Sequence, residues 1–373
     1  MGFAAGVARG LPSLLAVLTL AASSCGKEVP VALLHPLMPR YPDEIEVTQQ
    51  YGRLVVRPGT ERYEAQPFPN GGGTPWNTWF YPLKDRYFFE GAGSGDSKFV
   101  SPLEKYDQYV RHHASGELRD PSSHAQKWEA DRYLRSGFQG AGDWMGYCHA
   151  AAAAGVSAPI PSRPLKVGSL EFSVGDLKAL LIRTYEEIDG ARNFGSNFGS
   201  DREIRSYISQ ADIYPDQLLR LMQVELGEKR RAFYIDGNST NQIWNEPILR
   251  AVVTLEVDPA NVQRLIGRMA LDTAKSDTTP VSEESRKSGR GYDFLNSLRP
   301  LIFSESFTFE LFGYPRADGS YLIEYGEWVG TSRVFHPDFA TVLPEGPLSR
   351  RSSNPHIKVE VVEELIRRAQ QGG

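Results

Sequence analysis

Among side chains able to add to a carbonyl carbon, one stands out by its setting. The chain has two cysteines, Cys25 and Cys148, in 373 residues, and Cys148 sits in the run Gly142-Asp-Trp144-Met-Gly146-Tyr-Cys148-His149, just ahead of Ala150 to Ala154. A cysteine in the first turn of a helix meets unpaired backbone N–H groups and the positive end of the helix dipole, and both favour the thiolate. Gly142 and Gly146 allow backbone to approach a bound acyl group. The Cys148 N–H can then join a second donor, with Gln139 one choice, as an oxyanion hole. A plainer account stays open, since an unpaired cysteine is often only a small buried hydrophobe.

Such a thiol needs a helix to carry it and further elements to face it. The alanine run after Cys148 is a strong helix former with side chains small enough for a packed core. Ser173 can cap a second helix with Asp176 at its third position, and Leu177, Leu180, Leu181 and Ile188 share a face. Pro215 to Leu226 reads as another, with Leu219, Met222 and Leu226 in a stripe and Gly227 placed to end it. Arg230 to Asp236 and Arg250 to Val257 read as strands. Asp258 and Pro259 predict the start of a helix carrying Val262, Leu265, Ile266 and Met269. Two alternating runs around Asp318-Gly319 predict a hairpin. Asn354 and Pro355 open a last amphipathic helix bearing Val361, Val362, Leu365, Ile366 and Ala369. Residues 193–206 read as a mobile surface loop and 275–292 as a polar excursion. The fold class is α+β, with helices first and antiparallel strands later.

The N-terminal 25 residues read as an export signal. Arg9 is followed by the apolar run Leu11 to Ala22, at roughly 12 residues too short for a membrane span. Ala22, Ser23 and Ser24 before Cys25 have the form of a lipobox, which makes Cys25 a lipidation site. Ordinary secretion with a free or cleaved Cys25 is the alternative. The expected layout is a lipoprotein signal over 1–24, a Pro/Gly-rich tether and entry segment with little regular structure over 25–75, a catalytic domain over 76–350, and a C-terminal helix over 351–373. If Cys25 carries lipid, Cys148 is the only thiol of an exported protein and has no disulfide partner. Trp76, Trp79, Phe80 and Tyr81 are expected to pack onto the main domain. A net charge of −5 and a pI near 5.9 provide no basic stripe, so nucleic acid is not an expected partner.

The residues around Cys148 also carry a family resemblance. Trp144-Met-Gly146-Tyr147-Cys148-His149 resembles the catalytic-cysteine motif of the elicitor-type transglutaminases, secreted enzymes of oomycete plant pathogens and some marine bacteria. In order along the chain, SPLEKYD (101–107), VGSLEFSVGDLKALL (167–181), GEKRRAFYID (227–236), IWNEPI (243–248) and GEWVGTSRVFHPDFA (326–340) resemble further family segments. They extend over roughly residues 97 to 342.

The resemblance implies a papain-like core whose Cys148 thiol attacks the carboxamide of a protein-bound glutamine, expels ammonia, and passes the acyl group to a lysine amine or another primary amine, or to water. It implies Asp236 as the carboxylate that orients a histidine, Asn245 as a further catalytic residue, and Trp144 and Trp244 as substrate contacts. The slot for the family histidine, 17 residues before Asp236, holds Leu219. Ala151 replaces a bulky aromatic, and Glu246 replaces the amide of a Trp-Asn-Gln-Pro segment.

His149 is a poor substitute base, because neighbouring helical residues point about 100° apart. His336, with Asp338 on the same side of an extended segment, can supply an imidazole from elsewhere, or can simply fix the chain against the core beside Pro337. His112, His113 and His124 lack the spacing of a zinc motif and are expected at the surface. No metal site and no cofactor are predicted, and calcium rests on the resemblance alone. Two functions follow: a lipid-anchored or secreted acyltransferase acting on protein glutamine and lysine outside the cytoplasm, or a non-catalytic envelope lipoprotein using the fold as a binding or structural module.

Overall fold

The computed structural model describes residues 42–69, 72–91, 99–195, 212–237, 242–282, 284 and 290–372. The signal segment with Cys25 and residues 196–206 of the expected mobile loop lie outside them, while residues 193–195 of that loop belong to a strand paired with Phe339–Thr341. The excursion at 275–292 is described in part. No helix of the described residues is long and apolar enough to cross a membrane.

Helix α1 (Pro42–Tyr51) and strands β1 (Val55–Val56) and β2 (Gly59–Glu64) come first. Helices α2 (Pro102–His112), α3 (Ala125–Arg135) and α4 (Cys148–Ser157) follow. A small hairpin of β3 (Leu165–Val167) and β4 (Leu170–Phe172) leads into α5 (Val174–Arg183). Next come β5 (Glu187–Ile188), β6 (Arg192–Gly195) and α6 (Pro215–Leu221), which continues as a π-helical turn (Met222–Glu228). The strands β7 (Tyr234–Asp236), β8 (Asn245–Asp258), β9 (Asn261–Lys275), β10 (Leu301–Pro315), β11 (Tyr321–Trp328) and β12 (Phe339–Val342) then build the sheet. A short β13 (Arg350–Arg351) precedes α7 (Val359–Gln371). The mixed α+β architecture, with antiparallel strands after the cysteine-bearing helix, agrees with the expectation from sequence.

The sheet runs β1-β11-β10-β9-β8-β7-β12-β6, with β2 also paired to β8. Strand β8 is its hinge of organisation: Asn245 to Pro247 pair with β7, while later residues lie between β9 and β2. Two apolar cores result. One gathers α2, α4, α5 and α7 with the aromatic strap around Trp76 to Phe88, and contains Cys148 and Tyr234. The other lies between the long strands and α1 and α6, and contains Leu219, Ile235 and Ala340. Adjacent β7 residues thus enter different cores, as the two-residue period of a strand requires.

Local signals explain most elements. The Ser173 hydroxyl accepts the Asp176 N–H at 3.1 Å and the Asp176 carboxylate accepts the Ser173 N–H at 2.7 Å, a complete capping box. Asp318 and Gly319, the latter at φ 78°, turn the β10–β11 hairpin.

Three expectations are corrected. Residues 261–275 form strand β9 and not a helix. Val262 is 61% and Ile266 42% exposed while Leu265 and Met269 are buried, so the period is two. Asp258 and Pro259 begin a turn, with the Ala260 N–H donating to the Asp258 carboxylate. Secondly, the entry segment is more than a tether from Pro42 onward, because α1, β1 and β2 pack on and pair with the main sheet. Thirdly, Asn354 does not start the last helix. Its buried amide donates to Ala125 O at 2.9 Å, pinning the chain to α3, and α7 begins at Val359. Val361, Val362, Leu365 and Ala369 of α7 are buried in the core that holds Cys148.

Helix α4 crosses that core with no side chain larger than valine beyond its first turn. Its last turn lies against the strap, where Trp76 N–H donates to Gly155 O at 3.1 Å and a Cβ on Gly155 would fall 1.8 Å from Trp76 O. Gly155→Ala is therefore expected to destabilise the fold by about 1–3 kcal/mol through overpacking against backbone, read as a lower denaturation midpoint in urea.

Candidate active site

The segment before α4 is held by the strap. Tyr147 N–H donates to Phe80 O at 2.6 Å and Leu83 N–H to Met145 O at 2.8 Å. Lys84 and Asp143 form an ion pair across the same approach. A Cβ on Gly146 would lie 2.4 Å from Phe80 O, so only glycine permits this closeness. Beneath Tyr147, the fully buried Arg183 guanidinium lies 4.9 Å from the Phe88 ring and 4.7 Å from the Tyr147 ring. It pairs with Glu129 at 2.9 Å and with Glu186. Against the effect of burial, Arg183 holds the Glu186 carboxyl below the usual range. Cys148 thus starts its helix on a fixed base.

The sulfur opens onto a cavity of about 490 Å³ lined by Trp144, His149, Glu186, Tyr234, Asn245 and Thr341 among others. Cys148 Sγ donates to Ile243 O at 3.3 Å, and Asn245 Nδ2 approaches the sulfur at 3.5 Å. Asn245 is itself fixed by Asn77, whose amide donates to Asn245 O at 2.9 Å and to Ala274 O at 3.1 Å. Burial pushes the Cys148 thiol up. The Asn245 backbone and side-chain N–H groups and the His149 N–H oppose this, while the charge of Asp236 adds to it, and the net direction is upward. Placement at a helix N-terminus therefore does not by itself give a thiolate. His149 is exposed to the cavity, yet the atoms packed around it disfavour its cation, with Glu186 pulling the other way.

The transglutaminase elicitor family model matches residues 111–264, a span that includes Cys148, Asp236 and Asn245. The crystal structure of the GP42 transglutaminase from Phytophthora sojae is similar in fold at a TM-score of 0.59 and 16% identity, covering 90% of this chain and 100% of that one. This chain resembles the elicitor-type transglutaminases. No curated protein matches it.

The other residues that the transglutaminase resemblance singled out fall into distinct places. Trp144 shares the cavity with Cys148 and Asn245. Trp244 points to the opposite side of its extended segment, against the Phe80 ring at 5.2 Å, and lines a second cavity with Glu246, Lys275 and Phe303. Asp236 is buried opposite Asn245 in the β7–β8 register and accepts the Trp244 N–H at 2.8 Å. The transglutaminase histidine slot at Leu219 does not face the thiol: Leu219 lies in the core on the far side of β7.

His336 is buried away from the lining of the Cys148 cavity. Its Nε2 is 3.0 Å from Asp212 Oδ2, its Nδ1 is 2.7 Å from Ser332 O, and its ring stacks on Trp328 at 5.3 Å. Asp338 is not its partner; burial together with Asp212 and Asp236 pushes the Asp338 carboxyl up to about 9. His112, His113 and His124 are exposed, and among the described residues no group of three or more His, Cys, Asp or Glu is placed to hold a metal ion.

Sequence reasoning missed Tyr234, Thr341 and Asn193, which line the cavity from β7, β12 and β6. The signal was present for Tyr234, because a strand through Asp236 puts residue 234 on the same face.

Two outcomes are expected. Leu219→His gives no gain in thiol reactivity or acyl transfer and costs about 2–4 kcal/mol of stability, since it buries an imidazole in an apolar core; thermal denaturation and an amine-incorporation assay check both. Asp236→Asn removes a negative charge that disfavours the thiolate while leaving an oxygen for the Trp244 N–H. The pH of half-maximal Cys148 alkylation by iodoacetamide should then move down relative to wild type.

Proposed function

We propose that the chain is a transglutaminase-like acyltransferase with a papain-like site, in which Cys148 forms a thioester with a protein glutamine side chain. The observation that carries this reading is the setting of the sulfur. It stands at the head of α4, open to a cavity, with the Asn245 amide and the peptide N–H groups of Asn245 and His149 turned toward it. The sulfur adds to the carboxamide carbon, the C–N bond breaks, and ammonia leaves carrying the thiol proton. A lysine or other primary amine, or water, then resolves the thioester and frees the thiol.

Because the thiol is held in its neutral form by burial, the reaction is slow at neutral pH and speeds up as pH rises. Trp144 forms part of the wall against which the donor side chain lies. Export with lipid at Cys25 places the acyltransferase outside the cytoplasm, where protein side chains of the envelope are its substrates.

The test is incorporation of a fluorescent primary amine into a glutamine-containing protein by the purified chain. Wild type is expected to exceed Cys148→Ala by at least about tenfold, with the rate rising between neutral and alkaline pH. Equal incorporation by the two would leave the non-catalytic binding module as the function of the fold.

A further inference from the structure

The strap that seats α4 also reaches the strand end that meets the sulfur. Its Trp76 and Phe80 bond α4 and its approach, through Gly155 O and the Tyr147 N–H. Between them lies Asn77, 4% exposed. Strands β8 and β9 pair from Ile248 and Thr273 onward, and continuing that register would set Asn245 opposite Ser276. Pro247 has no N–H to give to a ladder there. Asn77 bridges the two strands instead: its Nδ2 donates to Asn245 O at 2.9 Å and to Ala274 O at 3.1 Å, with Ser276 Oγ at 3.3 Å. Its Oδ1 accepts the Thr78 N–H at 2.9 Å. A flipped amide would set Oδ1 against two carbonyl oxygens, so the network fixes one orientation.

The carbonyl that Asn77 holds belongs to the residue whose side-chain amide stands 3.5 Å from Cys148 Sγ. Among the described residues that amide nitrogen makes no other hydrogen bond, which leaves one N–H for a ligand. When a thiol adds to a carboxamide, the oxygen that gains charge is bonded to the same carbon as the sulfur. A donor touching the sulfur is therefore within reach of that oxygen. Gln139, the donor expected from sequence, is exposed and outside the cavity lining.

Resting on the acyltransferase reading above, we propose that Asn245 Nδ2 donates to the oxyanion of the acylation step and that Asn77 is the positioning residue that holds it there. The sulfur adds to the carboxamide carbon and the C=O π pair moves onto oxygen, where the Asn245 amide meets it. The pair returns as the C–N bond breaks and ammonia leaves with the thiol proton. Asn77 touches no reacting atom. It ties the Asn245 backbone to the same strap that seats Cys148, so nucleophile and donor share one template. Asn77 lies before residues 111–264, the span of the family match, so the motif around Cys148 gives no sign of it.

The experiment uses the full chain and two reactions of Cys148. One is incorporation of a fluorescent primary amine into a glutamine-containing protein. The other is alkylation by iodoacetamide at alkaline pH, a displacement at saturated carbon that forms no oxyanion and also reports an intact fold. Asn245→Ala is expected to lower kcat of incorporation by about 100-fold, and Asn77→Ala by about 30-fold, with KM and the alkylation rate within about twofold of wild type. The double variant is expected to match Asn245→Ala, because Asn77 acts only through that amide. Asn77→Ser, whose hydroxyl can donate to one carbonyl, carries the same cycle with a smaller loss if Asn77→Ala does not fold. An unchanged kcat in the Asn77 variant, losses that multiply in the double variant, or an equal loss of alkylation overturns the positioning role while the acyltransferase reading stands. A wild type that is alkylated at Cys148 yet incorporates no more amine than Cys148→Ala overturns that reading and this role with it.

Discussion

The close packing of α4 against the strap and β8 is the constraint on which the rest depends. A helix of alanines ending in Gly155 can lie directly on the Trp76 backbone, and Gly146 at its other end can lie directly on Phe80. Each contact requires the absence of a larger side chain. Together they set the height and direction of the helix, and so bring Cys148 to the end of β8 where Ile243 and Asn245 meet the sulfur. The Arg183 network under Tyr147 acts in the same sense, since a buried guanidinium between two carboxylates tolerates little displacement.

The same packing sets the chemistry. A helix N-terminus and three nearby N–H groups pull the thiol toward ionisation, but burial and the charge of Asp236 pull harder. The balance favours the neutral thiol, because burial makes its ion costly. Asp236 has a place in this balance through the backbone it holds and the field it sets up. It is a buried carboxylate whose oxygen organises the β7–β8 connection through the Trp244 N–H and whose field reaches the sulfur and Asp338.

Legibility followed the range of the interactions. The capping box at Ser173, the Asp318-Gly319 turn and the alanine run of α4 depend on residues within one turn or strand, and they appear as read. Strand β9 did not, because Leu265 and Met269 fit a helical period and a strand period equally well. What decides between them is the solvent exposure of Val262 and Ile266, which a sequence does not display. The segment from Pro42 looked like a tether for a similar reason, its partners being β8, β11 and α6, all distant in the chain.

For the site, residue types near Cys148 determined the nucleophile candidate, its helix and the family resemblance, since glycines at 142 and 146 and the aromatic at 144 have meaning within a few residues. Which side chains meet that sulfur was decided only by the tertiary structure. The reason is the alternation of β7, which sends Tyr234 into the core of Cys148 and Ile235 into the core of Leu219. A spacing counted along the chain does not record which of two cores a side chain enters; strand pairing does.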